Sequence, residues 1–387
     1  MSAWGTAFGR VPHVLLPMTT VLIFCGGEGP GPLERWVQGG RVAALRDLVR
    51  LASRLPGVSR TVVATSERNL ADEHPDLPVA WDSDPPGVPF HFGRRLAALM
   101  DAHPAPVCVY LSAGGAPLLP LDALASAVDE VARARAPRAI TNNLHSSDWM
   151  VLNCPPAIHR FADRLERDNM LGWVLKTEAG VDVTALAPGA ATRMDIDTPA
   201  DLLLLGLHPR IGPEAAAYLR AQPQAQSRWL SAGRILFTPG KQVALIGRVA
   251  SAVWSHVEAH TQVWIRVFSE ERGMTASGRQ AAGQARSLVG AHLARLGPED
   301  FIAELGELAD AAFFDTRVVL AHQRLWPSAA DRYASDLGLA DQVQDPTLRA
   351  LTAAACRAPI PIVLGGHGVV AGDLYALVEV AQSKEFA

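Results

Sequence analysis

Cysteine is scarce and scattered. The 387 residues hold four, Cys25, Cys108, Cys154 and Cys356, with no CxxC pair. That argues against a zinc knuckle or a disulfide framework and fits a reducing cytoplasm. Cys25 and Cys108 each sit in an apolar, strand-like run and read as small buried hydrophobes. Long apolar runs are missing too: nothing approaches the ~18–20 unbroken apolar residues of a membrane span. The N-terminal stretch from Val14 to Phe24 is broken at Pro17, and only Arg10 precedes it, so it reads as neither signal peptide nor anchor. A surplus of positive charge is also lacking. The formal net charge is −4, which leaves no electrostatic case for nucleic acid or an anionic membrane as a partner. These absences point to a cytoplasmic protein.

What is present is alternation. A chain of this length exceeds one typical core, so two domains are expected. Strand-like runs at Thr20–Cys25, Thr61–Thr65, Pro78–Trp81, Val107–Leu111, Arg138–Thr141 and Val181–Leu186 are interleaved with helical periods at Val42–Leu55, Phe90–Met100, Leu121–Ala132 and Pro199–Leu205. Such a pattern predicts an α/β fold: a mostly parallel sheet with helices on both faces, Rossmann-like. Ligands of these sheets lie outside the carboxyl ends of the strands. There the chain places Gly26, Thr65-Ser66, Asp82, Ser112–Pro117 and Asn142-Asn143.

The first of these sites carries the most chemistry. The run TTVLIFCGGEGPGPLERWVQGGR (19–41) is a strand, a glycine-rich loop and a helix, a layout whose backbone N–H groups can cradle phosphate. Gly26, Gly27 and Gly29 are the candidate cradle, with Arg35 and Arg41 downstream to meet a phosphate. The alternative is an ordinary turn. Far along the chain stands Arg193-Met-Asp195-Ile-Asp197-Thr198-Pro199, where Asp197-Thr198-Pro199 reads as a helix entry with Asp197 covering the cap, leaving Asp195 free.

The order of strand, GGEGPG loop, helix, then VCVYLSAGGAPLLPLDAL, then TRMDIDTPADLLLL resembles the nucleotidyltransferases with a molybdenum-cofactor guanylyltransferase-like fold. That group includes the 2-phospholactate guanylyltransferases and sugar-nucleotide pyrophosphorylases. The resemblance covers roughly residues 17–208, and DIDTPADL is its most specific element. It implies a glycine loop for the nucleotide's phosphates, and Mg²⁺ held between an acidic residue in a GDxPL-type turn and a second group near the DIDTP segment. Here that turn reads Gly114-Gly115-Ala116-Pro117-Leu118, with Gly115 where the family places Asp. Asp195 is then the obvious metal ligand, with Asp197 or Asp148 to supply a second. Gly114-Gly115 would let a ligand approach the backbone, or simply form a turn.

Asn142-Asn143-Leu-His145-Ser-Ser-Asp148-Trp149 is the densest polar cluster of this half. Asn142, Asn143 and His145 are candidates for binding an acceptor, the alternative being a connection rich in Asx turns. Residues 206–233 mix proline and glycine and suggest a boundary between an α/β domain at 17–221 and a mostly helical domain at 233–387. In the second, Lys241–His260 reads as one amphipathic helix with Leu245, Val249, Val253 and Val257 on one face. Asp300–Ala312 reads as another helix. His256 and His260 have two-histidine metal spacing, but Glu258 points to another face, so a solvated face is expected. Gly365-Gly366-His367-Gly368 leaves an apolar strand.

The reading is Mg²⁺-dependent nucleotidyl transfer from a nucleoside triphosphate to a small phosphorylated or carboxylated acceptor, with Asp195 and Arg41 catalytic. A homodimer stays open. The alternatives are a non-catalytic nucleotide-binding scaffold and a glycosyltransferase using a nucleotide-sugar.

Overall fold

The computed structural model describes residues 18–383. The proline-broken stretch up to Pro17, with the start of the first expected domain, lies outside them. Seven strands form the first sheet: β1 (Thr19–Cys25), β2 (Val58–Thr65), β3 (Ala80–Ser83), β4 (Val107–Ser112), β5 (Arg138–Thr141), β6 (Trp149–Leu152) and β7 (Asp182–Ala185). Their order across the sheet is β3-β2-β1-β4-β6-β5-β7. Every pairing is parallel except those of β6, which runs antiparallel to both β4 and β5.

The two central strands are apolar over Val21–Cys25 and Val107–Leu111 because both faces are covered. Val21, Ile23 and Cys25 face the Pro32–Ala52 helix through Leu45, Leu48 and Val49. Leu22 faces the opposite side, onto Phe92 and Leu96 of the Phe92–Ala102 helix. β4 repeats the alternation, with Val109 and Leu111 on the first face and Cys108 and Tyr110 on the second. Cys25 and Cys108 are buried, and burial pushes their thiols up to about 11 and about 12, so both act as small hydrophobes.

The mostly helical second part is built on a smaller sheet. Strands β8 (Gln242–Gly247), β9 (Trp264–Ser269), β10 (Ala311–Asp315) and β11 (Ile362–Gly365) lie in the order β11-β10-β8-β9, all parallel. Two sequence expectations are corrected here. Lys241–His260 is a strand followed by the Ser251–His260 helix, and Asp300–Ala312 is the end of the Pro298–Leu308 helix followed by β10. The i, i+4 spacing of Leu245, Val249, Val253 and Val257 ran across both elements by coincidence. Val243 to Ile246 are all buried, and a short apolar run does not distinguish strand from helix. Gly247 closes the strand at φ +121°, where an added Cβ would lie 2.5 Å from Asp315 Cβ.

The two sheets share packing. Met194, Ile196 and the Pro199–Leu205 helix belong to the same apolar cluster as Leu245, Phe313, Val363 and Leu374. All seven residues of that helix are buried, so the DIDTPAD segment runs along the seam. The turn after β11 closes on it: a Cβ at Gly372 would meet the Arg193 carbonyl oxygen at 2.0 Å. Since that obstacle is backbone, Gly372→Ala should cost about 1–3 kcal/mol in urea unfolding. A variant as stable as the parent would show that the contact tolerates side-chain volume.

Candidate active site

Three chain segments meet at one sheet edge for a topological reason. β1 and β4 are parallel, so the residues that follow them, Gly26 and Ala113–Gly115, leave at the same edge. β6 is antiparallel, so its beginning lies at that edge rather than its end. Asp148, just before β6, is thereby carried beside Ser112, whose N–H donates to the Asp148 carbonyl at 2.8 Å. The fourth contributor is the extended segment Met194–Asp197. Side chains alternate along such a segment: Met194 and Ile196 are buried in the seam, while Asp195 and Asp197 line the opposite side. The Ile196 N–H donates to the Gly114 carbonyl at 2.8 Å, and Arg41 Nε donates to the Ile196 carbonyl at 2.6 Å. The result is a cleft of about 410 Å³ lined by Gly26, Arg41, Gly114, Gly115, Asp195 and Asp197, all expected, together with Tyr110, Asp148, Arg167 and Asp168.

Gly115 has a clear physical meaning. A Cβ at that position would lie 2.6 Å from Asp148 Cβ, so the space a side chain would take belongs to Asp148. A carboxylate therefore stands at this turn, brought there from just ahead of β6. Asn142 fixes it: its Nδ2 donates to Asp148 Oδ2 at 2.6 Å, and its Oδ1 accepts from the Trp149 N–H at 3.3 Å. Asn142 is buried and positions Asp148, rather than lining the cleft as a substrate ligand.

The carboxylates crowd one another. Burial, and then the neighbouring Asp168 carboxylate, push Asp148 up to about 8. Burial, then the charges of Asp197 and Asp148, raise Asp195 well above the usual carboxylate range. Burial also raises Asp168, whose Oδ2 accepts from the Tyr110 hydroxyl at 2.9 Å. Among the described residues, Asp195 has no hydrogen bond and no ion pair. Such a site favours either protons or a cation. No group of three His, Cys, Asp or Glu side chains among the described residues is arranged to hold a metal unaided. Mg²⁺, however, takes one or two carboxylates with substrate phosphates and water completing its shell, and an all-oxygen pair at Asp148 and Asp195 fits that requirement.

Several expected residues stand elsewhere. The cap of the Pro199–Leu205 helix is not Asp197 but Thr198, paired with Asp201, whose Oδ2 accepts from the N–H groups of Asp197 and Thr198 at 2.9 and 2.6 Å. Asp197 is left with its side chain 67% exposed at the cleft rim. Arg41 lies in the cleft, but its guanidinium is engaged by Glu28 and by the carbonyls of Ile196 and Asp197, so its role is to hold the walls together. Gly27 and Gly29 do not line the cleft. The Glu67 carboxylate covers Gly27, and Glu34 folds back over Gly29 and Gly31. Arg35 is exposed and bonds to the Pro30 carbonyl. Of the three loop glycines expected to cradle phosphate, Gly26 alone faces the cleft, with nothing within 4 Å of its Cβ position. His145 is exposed and lies 5.1 Å from the Trp173 ring, its N–H donating to Asn143 Oδ1 in an Asx turn. The histidine pair in the second part stacks ring on ring, with His256 also 4.3 Å from Tyr375.

A second cavity of about 250 Å³ adjoins the cleft and shares Ser146, Asp148 and Asp195 with it. Asn143 and Arg193 line it from the first part of the chain; Arg272, His367 and Tyr375 do so from the second. Asp168 had no readable signal in the sequence. His367 had one, its glycine-flanked place after a strand.

No family model matches the chain, and no curated protein matches it either. Among solved structures it is similar to a CMP:2-keto-3-deoxy-manno-octonic acid synthetase complexed with CTP, at 11% identity over 48% of this chain and 95% of that one, TM-score 0.37. It is similar to a cytidylyltransferase from Leptospira borgpetersenii serovar Hardjo-bovis, at 15% identity over 53% and 94% of the two chains, TM-score 0.39. A 4-diphosphocytidyl-2C-methyl-D-erythritol synthase aligns at 17% identity over 49% and 97%, TM-score 0.36. These are nucleotidyltransferase-type folds that align with about half of this chain.

Proposed function

We propose that the protein transfers a nucleotidyl group from a nucleoside triphosphate to a small phosphorylated or carboxylated acceptor, releasing pyrophosphate. The observation that carries this reading is the Asp148 side chain standing in the space at Gly115, opposite Asp195 and beside Gly26. Asp148 and Asp195 would hold Mg²⁺, which supplies charge neutralisation at the reacting phosphates. The backbone at Gly26 and Gly114 lets the triphosphate approach closely. Arg167 lines the cleft with no ion pair among the described residues and is the guanidinium available to phosphate. Phe90, 58% exposed at the cleft wall, offers a stacking face for the base.

The chemistry asks little else of the protein. An acceptor phosphate or carboxylate is ionised at neutral pH, so one of its oxygens attacks the α-phosphorus without a general base. The bond to the bridging oxygen breaks, and its electron pair leaves with pyrophosphate. Positioning and electrostatics carry such a transfer. A second reading, a non-catalytic nucleotide-binding scaffold, is favoured by one observation: Glu28, Glu34 and Glu67 crowd the glycine loop where phosphates would lie.

Calorimetric titration with GTP, CTP, ATP and UTP, with and without Mg²⁺, separates the two. The proposal expects Mg²⁺-dependent binding of at least one of them, and metal-independent binding throughout favours the scaffold. With the acceptor in hand, Asp195→Ala and Asp148→Asn should each lower kcat/KM by about 10²–10³-fold, with circular dichroism unchanged. Wild-type turnover in Asp195→Ala removes the metal assignment.

A stability experiment is independent of turnover. Asp148 and Asp195 titrate higher in the folded chain than unfolded. The native state therefore binds more protons, and metal-free stability should fall as pH rises between about 5 and 8. In EDTA the melting temperature should drop across that range. Excess Mg²⁺ should restore it most at the alkaline end, and Asp148→Asn should melt above the wild type there. A metal-free melting curve with no dependence on pH would contradict the crowding.

A further inference from the structure

The second cavity is built from both parts of the chain, and its far wall is basic. Arg193 precedes the Asp195 segment and is half-buried, yet makes no ion pair or side-chain hydrogen bond among the described residues. Arg272, reaching in from the loop after β9, is equally unpaired. The contrast with their neighbours is sharp: Arg248 is locked onto Asp315 at 2.6 Å, and Arg279 onto Glu271 at 2.5 Å. The first turn of the ten-residue Ser251–His260 helix also lines the cavity, with no side-chain cap, and presents backbone N–H groups without intrahelical acceptors. His367 completes the wall, its Nε2 within 3.2 Å of the Arg248 carbonyl.

We propose that this cavity is an oxyanion site that anchors the acceptor, with Arg193 and Arg272 as its ligands. The occupant is a small molecule bearing a phosphate or carboxylate group. Two unpaired guanidinium groups and a helix N-terminus converging on about 250 Å³ suit such a group. Its opposite wall is Asp148 and Asp195, shared with the cleft, so an anion held here stands next to the proposed reaction centre. The second part of the chain is thereby assigned a task, since Arg272, His367 and the helix terminus all belong to it. Calling the occupant an acceptor rests on the nucleotidyl-transfer reading; the oxyanion site itself does not.

The test uses the full chain with Mg²⁺ present and inorganic phosphate as the probe, followed by phosphorus NMR line broadening. One saturable site is expected. Arg193→Gln and Arg272→Gln should each weaken it about tenfold or more, with Arg193→Lys recovering part of the loss. The affinity for the nucleotide should change by less than about twofold. Malonate in competition distinguishes the sources: displacement of phosphate with the same arginine dependence marks a carboxylate-bearing acceptor, and failure to displace it marks a phosphorylated one. Absence of binding by both anions, or binding indifferent to both substitutions, overturns the proposal. If phosphate binds with arginine dependence while no nucleoside triphosphate binds, the oxyanion site stands and the nucleotidyl-transfer reading falls.

Discussion

The site depends on how the backbone of one residue is held. Ile196 donates its N–H to Gly114 and accepts from Arg41, while its side chain and that of Met194 are sunk in the seam between the sheets. Four residues of extended chain are thus clamped by the β4 turn on one side, the first helix on another and apolar packing beneath. Because an extended chain alternates its side chains, burying Met194 and Ile196 turns Asp195 and Asp197 outward. Were the register to slip by one residue, the carboxylates would enter the core. The capping pair Thr198 and Asp201 opposes such a slip by fixing where the next helix begins.

That clamp places negative charge where the fold can least afford it. Asp148 comes in just ahead of the antiparallel strand and Asp168 from the start of a short 3-10 helix; both line the cleft with Asp195, Asp148 feeling the charge of Asp168 and Asp195 that of Asp148. Arg41 is the nearby counter-ion, but its guanidinium is shared among Glu28, the Asp197 carboxylate at 3.7 Å and two backbone carbonyls. Repulsion only partly relieved in this way is how binding sites for cations store affinity, and it lowers stability until the ligand arrives. The basic far wall of the adjoining cavity divides the region further into a carboxylate side and a guanidinium side. A cation and an anion could then be held side by side, as transfer between two anionic reactants requires.

Much of the frame was legible in the residues. β1, β2 and β4 are short, β-branched and apolar because both faces are covered, and they stand out in the sequence for that reason. DIDTPADL stood out through its resemblance to a family motif, and its Asp195 and Asp197 do line the cleft. β8 and β10 were not, since each is a short buried run beside a true helix whose spacing it happens to continue. Asp148 was legible only as an alternative, because its role requires β6 to run against its neighbours, and direction leaves no mark on four residues reading WMVL. The glycine loop was legible as a loop beside the cleft, which Gly26 lines, but not in its detail. Its glycines are real turn residues, but the carboxylates of Glu34 and Glu67 occupy the faces that phosphate was expected to take.

The central claim is that Asp148 and Asp195 form one cation site beside a nucleotide. It is tested most directly by a crystal structure with Mn²⁺ and a non-hydrolysable nucleoside triphosphate, using the anomalous signal of the metal. The expected result is a metal peak held by the Asp148 and Asp195 carboxylates, with the triphosphate against Gly26 and Gly114. A nucleotide bound in the cleft with manganese elsewhere, or with both carboxylates uncoordinated, would contradict it.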